Sequence, residues 1–274
     1  MGQSNSIPTN LPEIAFHCLR VADSSPTDGL IEPYFDYLIG ISSKTKQNSN
    51  DLFNLINNEI GYKKEIGLSK IIEENENNLI ELKVYNAKSQ KIRDVNIIPS
   101  RQWAEALLSA NDEINTLSNT NNNTNNKPKP SLLGLSLRIC NPANALESVY
   151  HVLDVLEGSP AEMAGLVPWG DYVLAWSGGP LHSENDFYNL IEAHVDKPLR
   201  LFVYNSDLDN LREVILYPTR QWGGEGLIGC GIGYGLLHRI PRPSTPPNEP
   251  VDGYFNQDQN RISDSSRQNE VIAS

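Results

Sequence analysis

The 274-residue sequence lacks the features that mark several large classes of protein. Its three cysteines, Cys18, Cys140 and Cys230, are an odd and sparse set that fits a reducing compartment better than a disulfide framework. No apolar run reaches the roughly 18 residues that a transmembrane helix requires. The first residues contain neither a basic segment nor an apolar core, so we expect no secretory signal and a cytoplasmic protein.

Positive charge is also scarce. The chain has 22 Lys and Arg against 34 Asp and Glu, which gives a formal net charge of −12. Such a chain repels a phosphate backbone overall, so we expect no nucleic-acid partner.

Signatures of catalysis are missing as well. The sequence contains no Gly-x-Ser-x-Gly nucleophile elbow. The glycine-rich run Gly-Cys-Gly-Ile-Gly-Tyr-Gly at 229–235 lacks the Lys-Ser/Thr of a phosphate-binding loop. We therefore expect a protein that is not an enzyme.

The most informative stretch covers residues 150–176 and predicts a strand, a turn, one short helix, a turn and a strand. Ser159 suits the N-cap of that helix, Pro160 its first position, and Gly165 the left-handed residue that ends it. The pattern Ser-Pro-Ala-Glu-Met-Ala-Gly-Leu with a following Gly-Asp turn resembles the core of PDZ domains. The alternative is a generic β-hairpin with a helical turn.

An earlier stretch repeats this pattern. The aligned segments are Phe16-His17 with Tyr150-His151, Gly29-Leu30 with Gly165-Leu166, Val84-Tyr85-Asn86 with Val203-Tyr204-Asn205, and 93–103 with 212–222. Segments 93–103 and 212–222 both end in Arg-Gln-Trp. The sequence therefore predicts a tandem duplication of a β-rich unit of about 90 residues.

Each copy also contains a candidate helix between these blocks. The apolar positions are Leu52, Phe53, Leu55 and Ile56 in the first copy and Phe187, Leu190 and Ile191 in the second. Asn185 or Asp186 is the candidate cap of the second helix.

Polar, low-complexity segments predict the boundaries of the two copies. We expect an N-terminal segment at 1–13, a first domain at 14–142 with a disordered Asn-rich insertion at about 109–130, a second domain at 146–240, and a short disordered tail at 241–274. The N-terminal segment begins Met1-Gly2 with Ser6 four residues later, which matches the N-myristoylation pattern. The alternative is that this match is silent, and one acyl chain anchors a protein only marginally.

The segment after the second Arg-Gln-Trp carries a family resemblance. Trp222 leads through Gly-Gly-Glu-Gly-Leu-Ile-Gly into the closing Gly-Tyr-Gly-Leu-Leu-His-Arg-Ile-Pro of residues 233–241. Together with the 150–171 stretch and Gly2, this resembles the GRASP family, the Golgi reassembly and stacking proteins. In the first copy Trp103 is followed by Ala-Glu-Ala and the insertion, where the family normally has Gly-Gly-x-Gly-Leu-Leu-Gly.

The resemblance implies a β-rich α+β fold of two tandem, circularly permuted PDZ-like domains with short helices. In each domain the strand that lines the peptide groove would come last. The implied peptide-binding residues are Leu132, Leu133, Gly134 and Leu135 in the first domain and Leu227, Ile228, Gly229 and Cys230 in the second. A peptide would add to the exposed sheet edge, and the glycines would allow close backbone approach. The alternative for the apolar residues is plain core packing.

The resemblance also implies a peripheral membrane tether on the cytoplasmic face of the Golgi or of ER exit sites. A lipid on Gly2, a golgin-type coiled-coil partner and self-association through the first PDZ-like domain would hold it there. The alternative is a soluble cytosolic PDZ scaffold that binds peptide termini without a membrane role. The resemblance does not choose between stacking, vesicle tethering and unconventional secretion.

The residues themselves indicate no cofactor. However, His17 and Cys140 fall where animal members of the family pair a histidine with a cysteine, an arrangement implied to hold zinc together with cysteines of a partner peptide. Both are zinc ligands, but two residues are half of a tetrahedral site. The alternative is a strand histidine and a buried thiol.

Overall fold

The computed structural model describes residues 11–43, 62–104 and 130–241 of the chain. The first repeat contains β1 (Ala15–Val21), β2 (Asp36–Ser43), α1 (Tyr62–Glu74), β3 (Ile80–Asn86), β4 (Lys91–Ile97) and β5 (Leu135–Cys140). The second contains β6 (Tyr150–Val155), α2 (Pro160–Met163), β7 (Asp171–Trp176), β8 (Gly179–Pro180), α3 (Glu184–Ala193), β9 (Leu199–Asn205), β10 (Asn210–Leu216) and β11 (Cys230–Tyr234). Short 3-10 helices cover Pro142–Asn144 and Leu236–His238.

Each repeat forms its own antiparallel sheet, and the two sheets share one strand order. The first is β4-β3-β2-β1-β5 and the second is β10-β9-β7-β6-β11, with the two-residue β8 beside β7. The last strand of each repeat therefore lies beside the first strand, at one edge of its sheet. This arrangement confirms the predicted duplication and the β-rich α+β fold of two permuted PDZ-like domains.

The strands form where apolar side chains alternate along the chain. In β3 the residues Ile80, Leu82 and Val84 are buried while Glu81 and Lys83 between them are not. This two-residue period places one face of the sheet on the core of its own repeat. The corresponding strand of the second repeat, β9, buries Leu199, Leu201 and Val203 in the same way.

The predicted helix signals of the second repeat are mostly confirmed. Ser159 caps α2, with its Oγ accepting the Glu162 amide at 3.2 Å, and Gly165 beyond the helix has φ +75°. Helix α3 buries Phe187, Leu190 and Ile191, as predicted.

The predicted cap of α3, Asn185 or Asp186, is wrong. Ser183 occupies the N-cap, and Asp186 accepts its backbone N–H at 3.1 Å as the third residue of a capping box. Asp186 therefore stabilises the helix start from the third helical position and is not the N-cap itself.

Some predicted features lie outside the described residues. These are the apolar set at 52–56 and, apart from their end residues, the N-terminal segment, the Asn-rich insertion and the tail. The helix that the structure does describe in the first repeat, α1, packs Leu68 and Ile72 into the first core. Within the described ranges, no helix combines the length and the apolar composition of a membrane span.

A buried aspartate holds the turn before the second strand of each repeat. Arg93 donates to Asp36 at 2.6 Å and to the carbonyl of Leu30 at 2.9 Å. In the second repeat, Arg212 donates to the carbonyl of Gly165 at 2.9 Å. Leu30 is thus the structural equivalent of Gly165, and the predicted alignment of Gly29 with Gly165 is one residue off.

Residues of both repeats form a shared apolar cluster. Phe35 of the first repeat contacts Tyr204 of the second with ring centroids 4.8 Å apart. Tyr34 of the first repeat contacts Phe202 of the second, with ring centroids 5.1 Å apart. The two sheets are therefore joined by packed aromatic side chains, and a cleft opens beside this junction.

Candidate functional site: two sheet edges and a cleft

Strands β5 and β11 each have a neighbouring strand on one side only, among the strands that the structure describes. Gly134 accepts the Ala22 amide at 2.8 Å, and Gly229 accepts the Leu156 amide at 2.9 Å. Since inward and outward groups alternate along an antiparallel strand, the next residues, Leu135 and Cys230, direct their N–H and C=O away from the sheet.

A β-bulge interrupts the pairing of β1 with β5 and of β6 with β11, and beyond it backbone groups of both edge strands again point away from the sheet. Leu137 is paired with Cys18, and Ile232 with Val152. The carbonyls of Cys18 and Val152 accept amides from the opposite side, from Tyr34 and Trp169, both at 2.7 Å. Leu137 and Ile232 therefore also present unpaired backbone groups at the edge.

The predicted apolar binding residues point into the cores. Leu132 and Leu133 are 5% and 3% exposed, and Leu227 and Ile228 are each 8% exposed. Their side chains anchor the loop, so only their backbone could face a peptide. In the second loop the amides of Ile228 and Gly229 have no acceptor among the described residues. In the first loop the Gly134 amide already donates to Ser131 Oγ at 3.0 Å.

A glycine of each loop packs directly against a serine side chain. Gly134 has φ +73° and Gly229 has φ +63°. A Cβ at either position would lie 2.3 Å from the Cβ of Ser25 or Ser159 respectively. Only glycine fits there, because both the backbone conformation and the space exclude a side chain.

Tryptophan side chains hold both loops, a role that sequence reasoning missed. Trp103 Nε1 donates to the Ser131 carbonyl at 3.1 Å, and Trp222 Nε1 donates to the Gly226 carbonyl at 3.0 Å. The shared Arg-Gln-Trp was the signal that could have found them. Trp103 makes this contact although Ala-Glu-Ala follows it, where Gly-Gly-Glu follows Trp222.

The second edge borders a groove of about 470 Å³ between β11 and α3. Apolar side chains and the loop backbone form much of it, and charged side chains stand among them. The lining residues are Asp154, Leu156, Tyr188, Ile191, Glu192, Arg220, Glu225, Gly226, Leu227, Ile228, Gly229, Cys230, Gly231 and Ile232.

A larger cleft of about 650 Å³ lies between the two repeats. His17, Arg138 and Cys140 line it from the first repeat, and Leu174 and His182 line it from the second. The structure thus brings the two predicted metal ligands, His17 and Cys140, to one cleft.

His17 is held in a single orientation. Its Nε2 lies 2.9 Å from the Tyr34 carbonyl, and its ring stacks on Tyr37 with centroids 4.3 Å apart. Because the carbonyl can only accept, Nε2 carries the proton and Nδ1 keeps its lone pair. Burial lowers the pKa of His17 to about 4, so the ring is neutral at physiological pH.

Burial also raises the pKa of the Cys140 thiol to about 11. A neutral imidazole and a thiol have the donor chemistry of a zinc site, so these two side chains fit the implied metal as half of a ligand set. Among the described residues, no group of three or more His, Cys, Asp or Glu side chains could hold a metal ion.

The equivalent histidine of the second repeat is covered. His151 Nε2 lies 2.9 Å from the Trp169 carbonyl and its ring stacks on Tyr172, as in the first repeat. However, His238 lies over it with ring centroids 5.7 Å apart. Gly233 makes room for this, since a Cβ there would lie 2.3 Å from His238 Nδ1. Of the two equivalent histidines, His17 therefore lines the cleft and His151 does not.

The lipidation candidate Gly2 lies outside the described residues.

A family model for the GRASP55/65 PDZ-like domain matches residues 5–112 and 82–243. This chain belongs to the GRASP55/65 family. The first match contains β1 to β4 of the first sheet, and the second match contains the whole second sheet together with β5. The GRASP family is not a known family of enzymes.

Named relatives agree with this assignment. Golgi reassembly-stacking protein 1 of Mus musculus is 38% identical over 237 residues, which are 86% of this chain and 44% of the relative. The human protein of the same name is 38% identical over 234 residues. GRASP65 homolog protein 1 of Saccharomyces cerevisiae is 25% identical over 232 residues. This GRASP-family chain spans less than half of the mouse and human relatives.

Proposed function

We propose that this protein is a scaffold that tethers membranes of the Golgi and early secretory pathway from their cytoplasmic face. The observation that carries the proposal is the pair of unpaired sheet edges at β5 and β11, in a chain of the GRASP family. An edge strand with outward backbone groups binds an extended peptide by strand addition. The names of the mouse and human relatives support the Golgi as the place of action.

The proposed peptide site of each domain combines the edge with its glycine loop. In the second domain, the free amides of Ile228 and Gly229 would receive a terminal carboxylate or the carbonyls of an internal turn. Cys230 and Ile232 would pair with the backbone of the bound peptide. Leu135 and Leu137 would do the same in the first domain, where self-association between copies of the chain would link apposed membranes.

We assign the cleft between the domains to a golgin-type partner peptide. His17 Nδ1 and the Cys140 thiolate would hold zinc together with two ligands of the partner. Zinc supplies a link between the two chains when bound. The protein would supply a pre-oriented neutral imidazole, because its Tyr34 bond and Tyr37 stack already fix the ring.

Membrane attachment would use a myristoyl chain on Gly2 together with these protein contacts. One acyl chain binds membranes weakly and reversibly, so a second contact is required for stable attachment.

Localisation of wild type and Gly2→Ala in cells, with identification of co-purified proteins, tests the proposal. We expect wild type on Golgi membranes with a coiled-coil partner, and a cytosolic Gly2→Ala. A cytosolic wild type that Gly2→Ala leaves unchanged would instead support a soluble PDZ scaffold. For the cleft, His17→Ala and Cys140→Ser should each weaken partner binding, and a chelator should weaken it in wild type only. Partner affinity that no chelator changes would contradict the zinc assignment.

A further inference from the structure

The two proposed peptide sites, each an edge strand with its glycine loop, carry opposite charges at one equivalent position. Arg20 on β1 is paired with Ser136 on β5, and Asp154 on β6 is paired with Gly231 on β11. Arg20 follows His17, and Asp154 follows His151, by the same three positions in the repeat. Both side chains are exposed, so each can meet a ligand.

Neither charge is neutralised by an ion pair with another described residue. Among the described residues, the Asp154 carboxylate accepts only the backbone N–H of Gly231, which lies on the edge strand. In the second groove the positive Arg220 lies 3.5 Å from Glu192, so these two charges offset each other. Asp154 and Glu225 therefore leave this groove with a net negative charge.

The next residue on the same face strengthens the contrast. Two positions beyond Ser136 the first edge carries Arg138, and two positions beyond Gly231 the second edge carries Gly233. The outer face of the first edge is therefore positive, with Arg20 and Arg138, while that of the second has Asp154 beside glycines.

A peptide added to either edge would bring one of its side chains to this position. Side chains alternate across a sheet in phase between neighbouring strands. The peptide residue opposite Ser136 or Gly231 thus lies on the same face as Arg20 or Asp154. On the first edge, this peptide residue lies between the two peptide residues that pair with Leu135 and Leu137. On the second edge, it lies between the two that pair with Cys230 and Ile232. For a peptide whose last residue pairs with Leu135 or Cys230, it is the penultimate residue.

We propose that the two peptide sites select partner peptides of opposite charge: the first takes an acidic side chain opposite Ser136, and the second takes a Lys or Arg opposite Gly231. The inference rests on the proposed peptide-binding function and adds its specificity. Because Arg20 and Asp154 are exposed, the preference is about two- to five-fold at low salt and decreases as salt screens the charges. Such a contact sorts partners more than it adds affinity.

The experiment uses the full chain and two acetylated hexapeptides with free carboxyl termini, identical except for endings of Lys-Val or Glu-Val. NMR titration of the ¹⁵N-labelled protein gives a separate Kd for each site, from the amides of Leu135 and Leu137 for the first and from those of Cys230 and Ile232 for the second. The charge variants are Arg20→Gln, Arg20→Glu, Asp154→Asn and Asp154→Lys. Glu157→Gln is the matched control, since Glu157 is an exposed carboxylate that does not line the groove.

We expect the second groove of wild type and of Glu157→Gln to bind Lys-Val more tightly. Asp154→Asn should remove the difference and Asp154→Lys should reverse it. The first site of wild type should bind Glu-Val more tightly. Arg20→Gln should remove this difference and Arg20→Glu should reverse it. Equal Kd values for the two peptides in wild type, or a preference that survives Asp154→Asn, would overturn the inference while leaving peptide binding intact. If neither peptide perturbs either edge at millimolar concentration, the peptide-binding function fails and the inference fails with it.

Discussion

The Lys88 ammonium lies 2.5 Å from the Asp209 carboxylate, and this ion pair connects the two PDZ-like domains. Lys88 also lies 2.5 Å from Glu32 of its own domain. Its Nζ stands over the rings of Phe35 and Tyr204, at 5.0 Å and 5.4 Å from their centroids. One nearly buried cation thus holds charged and aromatic groups of both domains at the junction beside the cleft.

Lys88→Met should lower the free energy of unfolding by about 1 to 2 kcal/mol, because it removes two charge-assisted hydrogen bonds and the cation–π contacts. Urea denaturation measures this change. Lys83→Met is the matched control, since its pair with Asp94 at 2.7 Å lies within one sheet and both side chains are nearly half exposed. We expect the control to lose less than about 0.5 kcal/mol. Equal losses in the two variants would contradict a special role for Lys88.

Acidification should destabilise the protein through His17. Burial lowers its pKa from 6.5 to about 4, so between these pH values the unfolded chain binds a proton that the folded chain does not. Stability is therefore lost as the pH falls through this window, by about 3 kcal/mol in total. Urea unfolding of wild type and His17→Gln at a series of pH values isolates the effect, because the other titrating groups are shared. Parallel pH curves for the two proteins would rule it out.

Gly229→Ala should destabilise the second loop strongly. The new Cβ would lie 2.3 Å from Ser159 Cβ at φ +63°, so strain and overlap add to about 3 kcal/mol. Gly158→Ala separates the two terms: its φ is +70° but nothing lies within 4 Å of the new Cβ. We expect a loss of about 1 kcal/mol for this control. Thermal unfolding checks both, and a Gly229→Ala protein as stable as Gly158→Ala would show that the serine contact does not matter.

The three thiols should react slowly in the native protein. Burial raises the pKa of Cys140 to about 11 and those of Cys18 and Cys230 to about 12. The reactive thiolate is therefore rare at pH 8, and we expect Ellman's reagent to label each thiol at least about 100-fold more slowly than in urea. Cys140 is the least buried of the three thiols, and comparison of wild type with Cys140→Ser identifies its labelling rate. A thiol that reacts as fast in the native protein as in urea would contradict this prediction.

Much of the fold could be predicted because its signals are local. Ser159 and Gly165 delimit α2 within a few residues, and the alternating apolar residues of β3 and β9 need only their own neighbours. The cap of α3 was placed wrongly because Ser183 and Asp186 act together across the helix start. The alignment at Gly29 was one residue off because Gly29 and Gly165 share a left-handed conformation, at φ +71° and +75°, whereas the arginine contacts place Leu30 opposite Gly165.

The candidate binding residues lie in the two glycine loops and the edge strands that follow them, but four of their apolar side chains are buried, and peptide binding stays a prediction. The family resemblance implied that Leu132 and Leu133 line the peptide site, with core packing as the alternative, and the structure buries both side chains in the first core. The outward groups are backbone amides and carbonyls, which no side-chain pattern reveals. Their direction depends on the register of β5 against β1.

From the sequence, the duplication, the strands and the equivalence of His17 and His151 could be predicted, because hydrophobic period and capping residues act over short distances. The motif at 222–241 indicated the family. How the two copies differ depends on tertiary contacts. Arg20 and Asp154 stand at equivalent rungs beside the two edges, His238 covers one histidine and not the other, and Lys88 joins the domains. Each of these relationships needs residues from distant parts of the chain to meet, and packing and strand register alone bring them together.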